Sequence, residues 1–342
     1  KFNDLFTKSI NLQLQSDAHL GVQLSGGIDS TLITEFASKQ KKIQHLFFSY
    51  FKNFEKDEFK YAQKVSNKLN LKFKKIEHTK KFFDSSFRNS IYFLDEPLNH
   101  PHTVAIYQIS KVAKKNVSVL LTGEGADELF FGYERYKKIL KNNTSDLDLI
   151  KNGAFLRSKL DLELFEKFSS DKFGDPHYNR FKLFNKIDIN NKIKKFQVFE
   201  TQSHLQSLLL RSDKMMMANS IEARVPFLDK EIYDYSLNLS DKIKNNNKQK
   251  LILKKTLLNE GYTDKFVNRK KIGYIIPFNE WIMKKNKFRK ELMIDNLLNF
   301  FSKKELENLS YQLERKKNIY SNAKMYWLMK NLSEFIDIFE LN

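Results

Sequence analysis

A buried strand that breaks into a glycine turn and then opens a helix constrains this chain more than any other feature. Leu20-Gly21-Val22-Gln23-Leu24 reads as a short buried strand, Ser25-Gly26-Gly27 as a turn, and Ser30 to Lys39 as a helix. Two glycines let the backbone approach a ligand closely, and the helix start offers unpaired N–H groups and positive dipole to an anion. Ser25, Ser30 and Thr31 add hydroxyl donors, and Asp29 sits in the first turn. The lysine spacing of the Walker A loop is absent, which argues against a nucleotide-hydrolysing P-loop. An ordinary helix start with a dipole-matching acid remains the plain alternative.

The pattern recurs. His45 to Tyr50, Leu71 to Ile76 and Val117 to Leu121 read as three more strands, and Glu55 to Leu69, Phe82 to Leu94 and Thr103 to Ala113 as helices. Alternation of this kind predicts an α/β fold, a parallel sheet flanked by helices, with ligands beyond the carboxyl ends of the strands. Residues 1–136 form the α/β region and residues 137–342 a mainly helical one. Lys137 to Glu200 is polar and short of strands, and from Thr201 onward helical periodicity dominates. Within that half, Arg211 to Asp229 reads as a helix with a sulfur-rich apolar side, stopped by Pro226, and Met215 to Met217 as packing.

Composition narrows the class. No apolar run approaches the roughly 18 residues of a membrane span, and the charged first residues do not resemble a signal peptide. The chain has no cysteine, which excludes a thiol nucleophile, thiolate metal sites and disulfides within it and fits a cytoplasmic enzyme. It begins at lysine, as a fragment of something longer would. A net charge of +19 could serve nucleic acid, but the lysines are spread rather than clustered, and a polyanionic small substrate would be drawn by the same field.

A second glycine loop follows the fourth strand: Thr122-Gly123-Glu124-Gly125-Ala126-Asp127-Glu128-Leu129-Phe130, continuing to Gly132-Tyr133. Three carboxylates beside a glycine turn are costly unless a cation or a proton transfer uses them. Asp127 and Glu128 could also be a favourable helix-start pair, which leaves Glu124 unexplained.

These motifs together resemble the synthetase domain of glutamine-hydrolysing asparagine synthetases, within the PP-loop ATP pyrophosphatases. Ser25 to Ser30 is similar to SGGxDS, and Thr122 to Tyr133 to SGEGxDELFGGY, with Thr122 at a serine position and Phe131 at a glycine. Arg211 to Asp229 is similar to RxDKxSMAxSxEARVPFLD, with Met216 at a serine. Arg269-Lys270-Lys271-Ile272-Gly273-Tyr274 and Pro277 are similar to RKKxGFxxP. Asp95-Glu96-Pro97 matches a DEP element, but His100 and His102 follow where relatives have a small acid and a hydroxyl. As metal ligands the two histidines would lack partners, so they read as solvated or substrate-facing.

The resemblance implies ATP and Mg2+. Leu24, Ser25, Gly26, Gly27, Asp29, Ser30, Thr122 and Gly123 would bind ATP and pyrophosphate, and Asp29 and Asp127 would hold the metal. Glu124 would be the acid/base residue and Lys271 the cation on the phosphates. Arg211, Asp213, Glu222 and Arg224 would surround the substrate and adenylate. The reaction implied is activation of aspartate as its β-adenylate, then attack by ammonia. The glutaminase that supplies ammonia would be another domain or subunit. The readings beside it are the same adenylation on another carboxylate (sugar-acid amidation or β-lactam formation) and a tRNA-modifying PP-loop enzyme.

Overall fold

The computed structural model describes residues 1–40, 42–51, 58–136, 145–152, 154, 158–169, 175, 177–244, 249–269, 276–283, 288–315 and 317–341. They fall into two compact units, one of residues 1–79, 106–145 and 183–275, the other of 80–105, 146–182 and 276–342.

The first unit is built on a five-stranded parallel sheet, ordered β3-β2-β1-β4-β5. Its strands are β1 (Leu20–Gln23), β2 (Ile43–Phe51), β3 (Lys72–His78), β4 (Val119–Leu121) and β5 (Glu222–Arg224). The chain steps outward from β1 to β2 and β3, then returns to lay β4 on the other side of β1. Loops leaving β1 and β4 therefore diverge at a topological switch point, where open parallel sheets bind ligands.

Both faces of the sheet are covered, as a parallel sheet requires. Helix α1 (Phe2–Gln13) buries Phe2, Phe6, Ser9 and Ile10 at helical spacing, in one core with Leu20, Val22, Leu24 and α2 (Ile28–Ser38). Each such large side chain contributes roughly 1.5–3 kcal/mol by leaving water. The opposite face is as tight. A side chain at Gly21 would meet Phe47 Cε2 at 2.9 Å and Leu120 Cδ2 at 3.1 Å. Along the sequence, helices α3 (Glu58–Leu69), α4 (Lys80–Leu94, which belongs to the second unit) and α5 (His102–Ala113) alternate with the strands. Edge strand β3 carries Lys72, Lys74 and Lys75, charges that discourage pairing with another chain.

One expected element is different. The helix through the methionines ends at Met217, not at Pro226. Ser220 takes a left-handed φ of 54°, which turns the chain so that Glu222–Arg224 pairs with Val119–Leu121 as β5. Met215 and Met216 are fully buried as packing, whereas Met217 is 54% exposed.

The second unit has its own core of Phe288, Leu292, Leu297, Leu306, Leu309, Leu313, Met325, Tyr326 and Met329. Its longest helix, Ile319–Phe339, buries Trp327 against Phe83, Phe87 and Phe278. No helix among the described residues is long and apolar enough to cross a membrane.

Candidate active site

The loop after β1 is shaped by its own hydroxyls. Ser30 Oγ accepts from the Ser25 amide at 3.1 Å and lies 3.0 Å from Ser25 Oγ, which accepts from the Gly27 amide at 3.2 Å. Leu24 still donates to Phe47 O at 2.9 Å, so the loop starts where the sheet stops. Gly26 has φ +79°, and a Cβ there would fall 2.6 Å from Glu58 O and 2.9 Å from Ala62 N. Only glycine fits that approach to the start of α3.

Arg269 fastens the same loop from the far end of the chain. Its Nη2 donates to Gly26 O and its Nη1 to Phe266 O at 2.7 Å. The guanidinium lies over the Tyr61 ring, 3.9 Å from its centroid, a cation–π contact.

The loop after β4 begins where the Thr122 amide donates to Arg224 O at 2.8 Å, docking it onto β5. Thr122 is buried, and its Oγ1 has no hydrogen-bond partner among the described residues. Gly125 has φ +86° and leads into α6 (Ala126–Leu129). A Cβ on Gly123 would lie 3.1 Å from Asp29 Cβ, so the two glycine loops touch.

The carboxylates nominated for a metal, Asp29 and Asp127, come from these two loops and converge on one cation, the Lys250 ammonium. Lys250 Nζ is 2.6 and 2.5 Å from the Asp29 carboxylate oxygens and 2.6 Å from Asp127 Oδ1. This lysine has no signal in the sequence beyond being one of many, yet it is almost wholly buried. Gly132 leaves room for it: a Cβ there would sit 1.8 Å from Asp127 Oδ1 and 2.1 Å from Lys250 Cε.

Glu124 is half-buried in the same loop. Glu128 is fully buried and accepts from Tyr133 Oη at 2.8 Å. Burial pushes its carboxyl up to about 8, and the negative charge of Asp127 adds to the push. The following turn is held by Arg135, which lies over the Tyr133 ring and pairs with the buried carboxylate of Glu200; Tyr136 donates to Glu200 at 3.0 Å. Phe131, in place of the resembled glycine, adopts φ +56°. The bulky residue thus holds a left-handed backbone that ordinarily favours glycine, and its ring is buried edge-on to Tyr136.

Four nominated residues lie on the Arg211 to Asp229 block. Arg211 is half-buried on the helix His204–Met217, with Nε unpartnered among the described residues, and Asp213 is exposed. Arg224 is engaged elsewhere: it donates to Gln13 O at 2.6 Å, to Gln15 O at 2.9 Å and to Glu222 Oε1 at 2.8 Å. This pair fastens the end of α1 to β5. Lys271 lies outside the described residues. His100 and His102, in the second unit, stack with ring centroids 4.2 Å apart.

A pair of carboxylates suits magnesium, which is commonly held by one or two carboxylates with substrate phosphates supplying further oxygens. The convergence of Asp29 and Asp127 on one cation meets that requirement. Among the described residues no group of three or more His, Cys, Asp or Glu side chains could hold a metal alone.

The profile of the asparagine synthase family matches residues 1–336. A glutamine-hydrolyzing asparagine synthetase of Bacillus subtilis is 30% identical over 82% of this chain and 50% of its own length. A putative asparagine synthetase of Methanocaldococcus jannaschii is 25% identical over 93% of this chain and 50% of its own. The mouse asparagine synthetase is 27% identical over 74% of this chain and 38% of its own. The chain spans about half the length of the first two.

Proposed function

Because this chain belongs to the asparagine synthase family of carbon–nitrogen ligases, we propose that it is the synthetase part of an ATP-dependent, amide-forming enzyme. Its substrate is aspartate, activated at the β-carboxylate as an acyl-adenylate, and its products with ammonia are asparagine, AMP and pyrophosphate. The observation that carries this reading is the meeting of Asp29 and Asp127 across the switch point, directly beside the Ser25–Ser30 loop.

The β and γ phosphates lie in the loop of Ser25, Gly26, Gly27 and Ser30, against the start of α2. Thr122 Oγ1 and the Gly123 backbone face the same nucleotide from the neighbouring loop. A carboxylate oxygen of aspartate attacks the α-phosphorus, the bond to the bridging oxygen breaks, and pyrophosphate leaves with that electron pair. Asp29 and Asp127 would hold magnesium, which would supply positive charge to offset that on the leaving pyrophosphate. Lys271 adds a fixed positive charge at the phosphates, a preorganised electrostatic role. The ammonia nitrogen then attacks the acyl carbon, the bond to AMP breaks, and Glu124 takes a proton from the nitrogen. Arg211 and Asp213 orient the amino acid, and Glu222 and Arg224 support them by fixing β5. Residues 1–136 thus supply the nucleotide loops and residues 137–342 complete the site. A glutaminase domain or subunit delivers the ammonia, in keeping with the glutamine-hydrolyzing relatives and the half of their length that this chain spans.

ATP–pyrophosphate exchange with the purified chain and magnesium tests the reading, using aspartate, glutamate and a set of sugar acids. Exchange with aspartate alone, and asparagine on adding ammonium, is the expected result. Exchange supported only by a sugar acid would replace aspartate as the substrate.

A further inference from the structure

The Lys250 ammonium stands where the Asp29 and Asp127 carboxylates, the proposed metal ligands, meet, and four features keep it there. It contacts both oxygens of Asp29 and one of Asp127 at 2.5–2.6 Å. Its side chain is 5% exposed, so no bulk water replaces those contacts. Its backbone adopts φ +54° at the start of the Leu251–Asn259 helix, and its amide donates to Phe130 O at 3.3 Å. Gly132, lacking a Cβ, leaves the passage through which the lysine stem reaches the site.

Two carboxylates facing each other in a partly buried site repel unless a cation lies between them. We propose that Lys250 is a built-in counter-ion that keeps Asp29 and Asp127 converged in the nucleotide-free protein and yields its place to the metal far more readily once nucleotide has bound. This rests on the proposed metal role of the two aspartates. Lys250 then acts as a positioning residue: it preserves the site's geometry without a bound ion and sets the order of binding. Without nucleotide, displacing the ammonium would strand a charge in a buried place, which is costly. With nucleotide present, the displaced ammonium meets phosphate oxygens instead. Lys250 thereby couples metal affinity to nucleotide occupancy, and the coupling is reciprocal.

The test is Mn2+ binding followed by electron paramagnetic resonance on the purified chain without nucleotide, for wild type, Lys250→Met and Lys250→Gln. Neutral variants should bind Mn2+ at least about tenfold more tightly than wild type. Adding Asp29→Asn to either should abolish the gain, placing the metal at the carboxylates. Neutral variants that bind Mn2+ no better than wild type would overturn the exchange. The wild-type chain gives a second measurement that does not depend on variants folding. At Mn2+ concentrations that saturate the site, acetylation of Lys250, read by mass spectrometry, should rise. Unchanged labelling with metal bound would mean that both cations share the site, and the exchange would fail. Wild type that takes up no Mn2+ even with ATP would instead remove the metal role of the aspartates, a failure of the proposed function itself.

Discussion

Arg269 donates through Nη2 to the carbonyl oxygen of Gly26 across 243 positions of sequence. The contact holds the backbone of the loop that would, under the proposed function, hold the phosphate. A guanidinium suits this task because one plane can stack on Tyr61 while separate N–H groups reach Gly26 and Phe266.

Replacing Arg269 with methionine keeps the apolar contact with Tyr61 but frees the loop. Loosening a substrate-positioning element of this kind costs roughly a hundredfold in rate. The expected result is such a loss in kcat/KM for ATP in the exchange assay, carried mainly by KM. Lysine at this position should recover little, since it cannot divide its donors in the same way. A variant with unchanged KM for ATP would take Arg269 out of the loop's support.

Gly132→Ala places a methyl group where Asp127 Oδ1 and Lys250 Cε already are. One of them must move, and overpacking of this kind costs about 1–3 kcal/mol. Denaturant unfolding should show that loss, and pyrophosphate exchange should fall even at temperatures where the variant is fully folded. Normal exchange in the folded variant would mean that Asp127 does not need its observed place.

Phe131→Gly restores the residue that φ +56° ordinarily favours. Relief of the left-handed backbone is worth about 1–2 kcal/mol, while deleting a buried phenyl ring costs about 3–5 kcal/mol. Packing should win, leaving the variant less stable by about 2 kcal/mol. A rise in stability would show that the ring against Tyr136 contributes little.

Glu124→Gln keeps the shape of its loop but cannot accept a proton. Removing a general base costs roughly 10²–10⁴-fold, so asparagine formation should fall by that order while ATP binding and aspartate-dependent exchange persist. Full amide formation in the variant would remove Glu124 from the second step.

His78 gives the fold a pH signature away from the candidate site. Burial lowers its imidazole to about 4, against the opposing hydrogen bond with Gln108. The unfolded chain therefore binds the proton more readily, so stability is full above the unfolded value and is lost as pH falls toward about 4. Melting temperatures of wild type should decline across that window, and His78→Leu should flatten this part of the decline. An identical slope in both would assign the acid sensitivity to other groups.

Much of the sheet was legible because β1, β2 and β4 are largely apolar runs closed by turns, and the glycine loops announce themselves by composition; β3 showed only through Phe73 and Ile76 among lysines. Strand β5 was not. Three residues with a charge at each end, Glu222–Arg224, carry no periodicity, and only pairing with β4 makes them a strand. Asp29 and Asp127 could be paired through resemblance, but nothing in a lysine-rich run distinguishes Lys250 from its neighbours. Its burial follows from Gly132 and from the turn at its own backbone. Arg269 was visible as part of a motif, yet its task depends on a contact with Gly26 that no local pattern contains. Phe131 was evident as a departure in size, while its backbone angle was hidden.

The late arrival of β5 has a consequence for how the protein is made. Chains emerge from the ribosome N-terminus first, so both glycine loops are outside long before Glu222–Arg224 can dock beside β4 or Lys250 can reach the aspartates. A nascent chain stalled before that point carries both glycine loops without the strand and the cation that sit beside them. Under the proposed function, competence to use ATP would be withheld until translation has passed Arg269, which holds Gly26, and Lys271 beyond it.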